Sequence, residues 1–116
     1  MPSVEKIAHV GRDRDLMQSR SLVLRAAGFS VEEAYTFATA LTLAEEVDVL
    51  LICHSWLGPE KKRLVSALRD NRNSIPIICV KSHPLEAHPD GCLSAETTPL
   101  AILDAIVAAT EMGLAR

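Results

Sequence analysis

A cysteine and a histidine stand side by side at the end of the most apolar run in the chain, Asp48-Val49-Leu50-Leu51-Ile52-Cys53-His54. A thiolate becomes a working nucleophile when a base lies within hydrogen-bond reach, and His9 and His83 are the further imidazoles that could serve Cys53. Adjacent residues of a strand point to opposite faces, so Cys53 and His54 form a dyad only if the strand has already ended and turned. The competing reading is a buried thiol under a helix, followed by a strand-end histidine that is exposed or hydrogen-bonded. His9, Cys53, His54, His83 and His88 are also of the types that hold zinc tetrahedrally. No compact ligand spacing marks such a site, so no metal ligand is assigned. Arg12 and Lys81, with Lys61, suit a cationic mouth for an anion or a small phosphorylated ligand, but Gly11-Arg12-Asp13 is not a glycine-rich phosphate fingerprint and a solvated face competes. Trp56, the single tryptophan, falls in the loop after the apolar run, where a large ring suits either a binding surface or a plug.

The elements that must position these groups follow from periodicity. An unbroken apolar run without alternation reads as a central strand covered on both faces by helices. Ahead of it, Lys6–Val10 is a first strand, and Asp13 caps a helix reaching Ala27, with Leu16, Arg20, Val23, Leu24 and Ala27 inward and Gly28 as its stop. Phe29–Ala34 is a second strand whose polar content suits a sheet edge. Thr36 or Thr39 opens a second helix running to about Glu46, with Ala40, Leu41 and Leu43 inward. After the 48–54 strand, Pro59 fits the first turn of a third helix, with Leu64, Val65 and Leu68 inward and Lys61, Lys62 and Arg63 on its wet face. Ile75–Val80 is a fourth strand and residues 90–94 a fifth. Pro99 opens a last helix with a Leu103, Ile106 and Val107 stripe. Residues 81–89, between the fourth and fifth strands, include Pro84 and Pro89, whereas a right-handed crossover takes about a dozen residues. An abbreviated connection is expected there.

Composition bounds the class. The chain has 116 residues, 48% of them hydrophobic and only 3% aromatic, which fits one domain (1–116, core about 4–112) with an aliphatic, alanine-rich interior. A net charge of -3 gives no general attraction for nucleic acid or an acidic membrane. Three cysteines without CxxC spacing read as reduced, mostly buried thiols of a cytoplasmic protein. No membrane span, signal peptide or DNA-binding helix pair is expected.

The chain resembles the receiver domain of two-component response regulators over roughly residues 4–112. The signals are Ile7–Asp13 followed by a helix ending Ala27-Gly28-Phe29, then Val47-Asp48 leading into the apolar strand, Leu57-Gly58-Pro59, and Ser74-Ile75-Pro76-Ile77-Ile78. The resemblance implies an α/β, flavodoxin-like three-layer sandwich: a five-stranded parallel sheet in the order 2-1-3-4-5 with helices on both faces, here with the fourth helix shortened or absent. It also implies phosphoryl transfer to an aspartate after the third strand, with magnesium held by acids after the first. At those positions this sequence has Cys53 for the acceptor and Gly11 and Arg12 for the acids. Lys81 stands for the switch hydroxyl, and Ala95 for the lysine after the fifth strand. Magnesium wants hard oxygen ligands, which these residues do not supply.

The expectation is therefore a phosphorylation-independent receiver-like signalling and protein-interaction module, not an enzyme, with no cofactor. As the resemblance implies, its partners are proteins of a bacterial two-component or related pathway, with a homodimer through the final helix as one arrangement. There Leu100, Ile102 and Leu103 are core or interface residues. Arg12, His54, Trp56, Lys81 and His83 are the interaction or anion-binding residues. In this family setting Trp56 either fills the former metal site or anchors a partner. The alternatives are a redox sensor or thiol enzyme using Cys53, and a small anion- or metal-binding regulatory domain.

Overall fold

The computed structural model describes residues 6–53, 58–71, 75–81 and 92–114, with side chains to residue 109. Five strands, β1 (Lys6–Val10), β2 (Ser30–Ala34), β3 (Val49–Ile52), β4 (Ile77–Val80) and β5 (Leu93–Ala95), form one sheet. All pairings are parallel and the order is β2-β1-β3-β4-β5. Four helices are described, α1 (Arg14–Ala26), α2 (Phe37–Ala44), α3 (Gly58–Asp70) and α4 (Pro99–Leu114). The expected five-stranded sandwich in the order 2-1-3-4-5 is therefore present, and the last described helix follows β5 directly. The connection from β4 to β5 lies outside the described residues.

β3 explains itself. Each of its four residues is buried, and alternation sends Leu50 and Ile52 into the layer under α2 and α3 while Val49 and Leu51 join the layer under α1 and α4. β4 divides likewise, with Ile77 and Cys79 on the first side and Ile78 and Val80 on the second. Each fully buried aliphatic side chain contributes about 1.5–3 kcal/mol, so these two short strands anchor both cores. The ladder bonding of β3 reaches past its ends: the Asp48 N–H donates to Lys6 O at 2.9 Å and the Cys53 N–H to Val10 O at 2.6 Å. The Asp48 carboxylate also accepts the Lys6 N–H at 3.0 Å.

The helix ends are written in local chemistry. Asp13 caps α1 by accepting the Leu16 N–H at 3.1 Å, and Thr36 caps α2 by accepting the Thr39 N–H at 3.2 Å. α1 stops in a Schellman motif: Gly28 takes a φ of 103°, its N–H bonds Arg25 O, and the Phe29 N–H bonds Leu24 O. Only a residue lacking Cβ adopts that φ cheaply.

Three expectations are corrected. The inward face of α1 is Met17, Arg20, Ser21 and Leu24; Val23 and Ala27 are exposed and Leu16 only partly covered. The stripe is turned by one residue because Ser21 takes a buried polar role described below. On α4 the buried residues are Ile102, Ile106 and Ala109, whereas Val107 faces outward. Lys61 is not on the wet face of α3: only 2% of it is exposed, although Lys62 and Arg63 are exposed as expected.

Candidate functional site

In a sheet of this type the carboxyl ends of the strands form the crevice where ligands bind. The topology brings Gly11, after β1, Cys53, after β3, and Lys81 and Ala95, at the ends of β4 and β5, to that edge. Gly11 is buried, its N–H donating to Ala34 O at 3.0 Å, and the Lys81 N–H donates to Ala95 O at 2.9 Å. Arg12 is exposed and turns toward α3, where it forms an ion pair with Glu60. Among the sequence-predicted residues, His54, Trp56, His83 and His88 lie outside the described residues.

Cys53 is fully buried, and its neighbour is a guanidinium. Arg20 of α1 donates from Nη1 to Cys53 Sγ at 2.7 Å, and its Nη2 lies 3.5 Å from Thr97 O ahead of α4. One buried arginine thus braces the end of β3 against both helices on that face. The sequence placed Arg20 on the inner face of α1 but gave it no role. The second unforeseen cation is Lys61, whose Nζ donates to Val80 O at 2.8 Å, at the carboxyl end of β4. Its aliphatic stem crosses apolar surface and its head meets a strand-end carbonyl. The triple Lys61-Lys62-Arg63 resembles a solvated face, and only its position over the end of β4 separates the first residue from the other two.

Behind this edge lies a buried polar chain. Ser21 Oγ donates its single proton to Glu33 Oε2 at 2.9 Å, so toward His9 Nδ1, 3.1 Å away, it can only accept. The proton of the neutral His9 ring is therefore assigned to Nδ1, leaving Nε2 as a buried acceptor without a hydrogen-bond partner. Burial, reinforced by the positive charge of Arg20 and opposed by Glu33, lowers His9 from 6.5 to about 4. Tyr35 donates to the other Glu33 oxygen at 3.2 Å, and its phenol is pushed upward by desolvation and by Glu33. His9 sits two residues before Gly11 but its Nδ1 is bonded to Ser21, while Arg20 donates to Cys53 Sγ.

The chemistry of this edge is cationic. Gly11 has no side-chain oxygen, Arg12 is a cation and Cys53 a soft thiol, so these residues do not fit a magnesium ion. Among the described residues there is no cluster of three or more His, Cys, Asp or Glu side chains able to hold a metal. No described helix is long and apolar enough to cross a membrane.

No protein-family model and no curated protein sequence matches the chain. Solved structures do. The N-terminal domain of a response regulator/sensory box/GGDEF three-domain protein from Carboxydothermus hydrogenoformans aligns with a TM-score of 0.79 at 16% identity, covering 96% of this chain and 98% of that one. The receiver domain of the response regulator NarL from Mycobacterium tuberculosis gives 0.74 at 20% identity, with 95% and 98% covered. A CheY-like receiver domain from Methanospirillum hungatei JF-1 gives 0.74 at 21% identity, with 95% and 96% covered. The chain has the fold of the response-regulator receiver domains.

Proposed function

We propose that this domain is a receiver-like module of a two-component or related bacterial signalling pathway that works by protein contact and without phosphorylation. The observation that carries the reading is the residue set at the carboxyl edge. Where phosphoryl transfer needs a nucleophile with positioned metal and charge, this chain has Cys53 buried under Arg20, Arg12 paired with Glu60, and Lys61 bonded to a backbone carbonyl. Arg20, Arg12 and Lys61 are each engaged in holding the protein's own strand ends and helices together.

The surface supports the contact role. The large exposed hydrophobics among the described residues are Leu22 and Val23 on α1 and Leu100 and Val107 on α4. Leu22 is 66% exposed, Leu100 70% and Val107 55%. These helices lie on one side of the sheet, and a shallow groove lined by Arg20, Val23, Leu24, Pro99 and Ile102 runs between them. Leu100 is thus surface and Ile102 core, which assigns two of the three residues of the final helix that the sequence could not separate. Exposed large apolar side chains on two helices that share one side of the sheet suit a docking face. The reading places the partner, or a second copy of the chain, against α1 and α4 in a cytoplasmic protein.

The deciding experiment is incubation with acetyl phosphate and magnesium, followed by intact-mass measurement. The unmodified mass is expected. A stoichiometric phosphoryl adduct, whether base-labile on a carboxylate or located on Cys53, overturns the proposal.

A further inference from the structure

The cysteines of β4 and of the entry to β5 carry an inference independent of the strand-end edge. Cys79 Sγ and Cys92 Sγ are 3.1 Å apart, about 1 Å more than a disulfide bond. Both belong to the layer under α2 and α3. In the β4–β5 register Cys79 lies opposite Ser94, so Cys92, two residues earlier, is its diagonal neighbour on the same face. Diagonal neighbours are wider apart at the backbone than directly opposed ones, so closing the bond requires a small approach of the two strands. Cys92 is placed to supply it, since it occupies a bend just before a three-residue edge strand. It is also partly exposed while Cys79 is buried, which gives an oxidant one point of entry.

We propose that Cys79 and Cys92 form a paired-thiol modification site that closes to an intramolecular disulfide when a hydroperoxide supplies the oxidising equivalents. The Cys92 sulfur attacks the peroxide; the O–O bond breaks, the sulfur takes the terminal oxygen as a sulfenic acid, and the alkoxide leaves as alcohol with the proton released. The Cys79 sulfur then attacks the Cys92 sulfur. The S–S bond forms, the S–O bond breaks, and hydroxide departs as water with the Cys79 proton. Two thiols lose two electrons in all and the peroxide gains them. The product ties the edge strand β5 to β4 covalently. Cys53 takes no part, because it lies against Arg20 on the opposite face of the sheet.

The test treats the folded protein with hydrogen peroxide, unfolds it in an alkylating reagent and counts modified thiols, with peptide mapping of any cross-link. Of the three cysteines, only Cys53 is expected to be alkylated, and one Cys79–Cys92 cross-linked peptide lighter by two hydrogens is expected. A reductant restores all three. In Cys92→Ser the same treatment should leave no cross-link and no loss of the Cys53 thiol. Retention of three thiols in the oxidised protein, a cross-link that includes Cys53, or disulfides formed only between chains overturns the proposal. The mapping is made on the unsubstituted protein, so it decides the matter even if the variant folds poorly.

Discussion

Acidification should weaken this fold through one residue, His9. Its ring is fully buried, and burial with the nearby Arg20 charge lowers it from 6.5 to about 4. The unfolded chain therefore binds a proton at His9 in a range where the folded protein does not. Between those two values the unfolded state holds more protons, so stability falls as pH falls. With each pH unit of separation worth about 1.4 kcal/mol, the loss from pH 7 should reach about 2 kcal/mol at pH 5 and about 3 kcal/mol at pH 4. Below pH 4 His9 adds little more, because the folded ring is then protonated too. Carboxylates titrate in the same range, so the quantity to measure is a difference. Urea midpoints converted to unfolding free energies would be collected from pH 7.5 to 4.5 for the natural protein and for His9→Asn, whose amide can still donate toward Ser21 Oγ. The variant is expected to be less stable at neutral pH from the lost ring volume, but to show a flatter pH dependence by roughly 2 kcal/mol between pH 7 and 5. Equal slopes for the two proteins would refute the assignment of His9 as a neutral buried group.

Two further sets of substitutions test the buried cation and the exposed face. Lys61→Ala removes both the stem and the donor to Val80 O and should cost about 2–3 kcal/mol in chemical denaturation; Lys61→Met keeps the stem and should recover about 1–2 kcal/mol of that. Equal losses would mean that packing of the stem contributes nothing. Leu100→Asp with Val107→Asp should leave stability within about 1 kcal/mol, since both are exposed, while lowering self-association or partner binding at least tenfold by sedimentation or calorimetry.

How much of this was legible in the sequence depends on whether local pattern or long-range placement decides the residue. The central strand was legible because nothing but burial on both faces explains Val49-Leu50-Leu51-Ile52. The cap at Asp13 and the stop at Gly28 were legible because the chemistry is contained within a few residues, and the cap of α2 was narrowed to Thr36 or Thr39, of which the fold uses Thr36. The face of α1 was misphased. Arg20 and Leu24 fit a stripe completed either by Leu16 and Val23 or by Met17 and Ser21, and hydropathy favours the first. The fold takes the second because Ser21 meets His9 of β1 and Glu33 of β2, partners that no local window contains. Lys61 failed for a similar reason: a lysine beside Lys62 and Arg63 is ordinarily wet, and the carbonyl that holds it belongs to β4. At the strand-end edge the sequence identified Gly11, Cys53, Lys81 and Ala95 by position, but not the guanidinium that covers Cys53.

The placement of β3 has a kinetic meaning as well. It is hydrogen-bonded to β1 on one side and β4 on the other, and buried on both faces, whereas β5 is three residues long and, among the described residues, paired only with β4. Amide protons of β3 can be released to solvent only when the whole domain opens, while those of β5 are released by a smaller excursion that leaves the other four strands intact. The molecule therefore has a hierarchy of opening that starts at the edge carrying α4, and a bond between Cys79 and Cys92 would remove its lowest step.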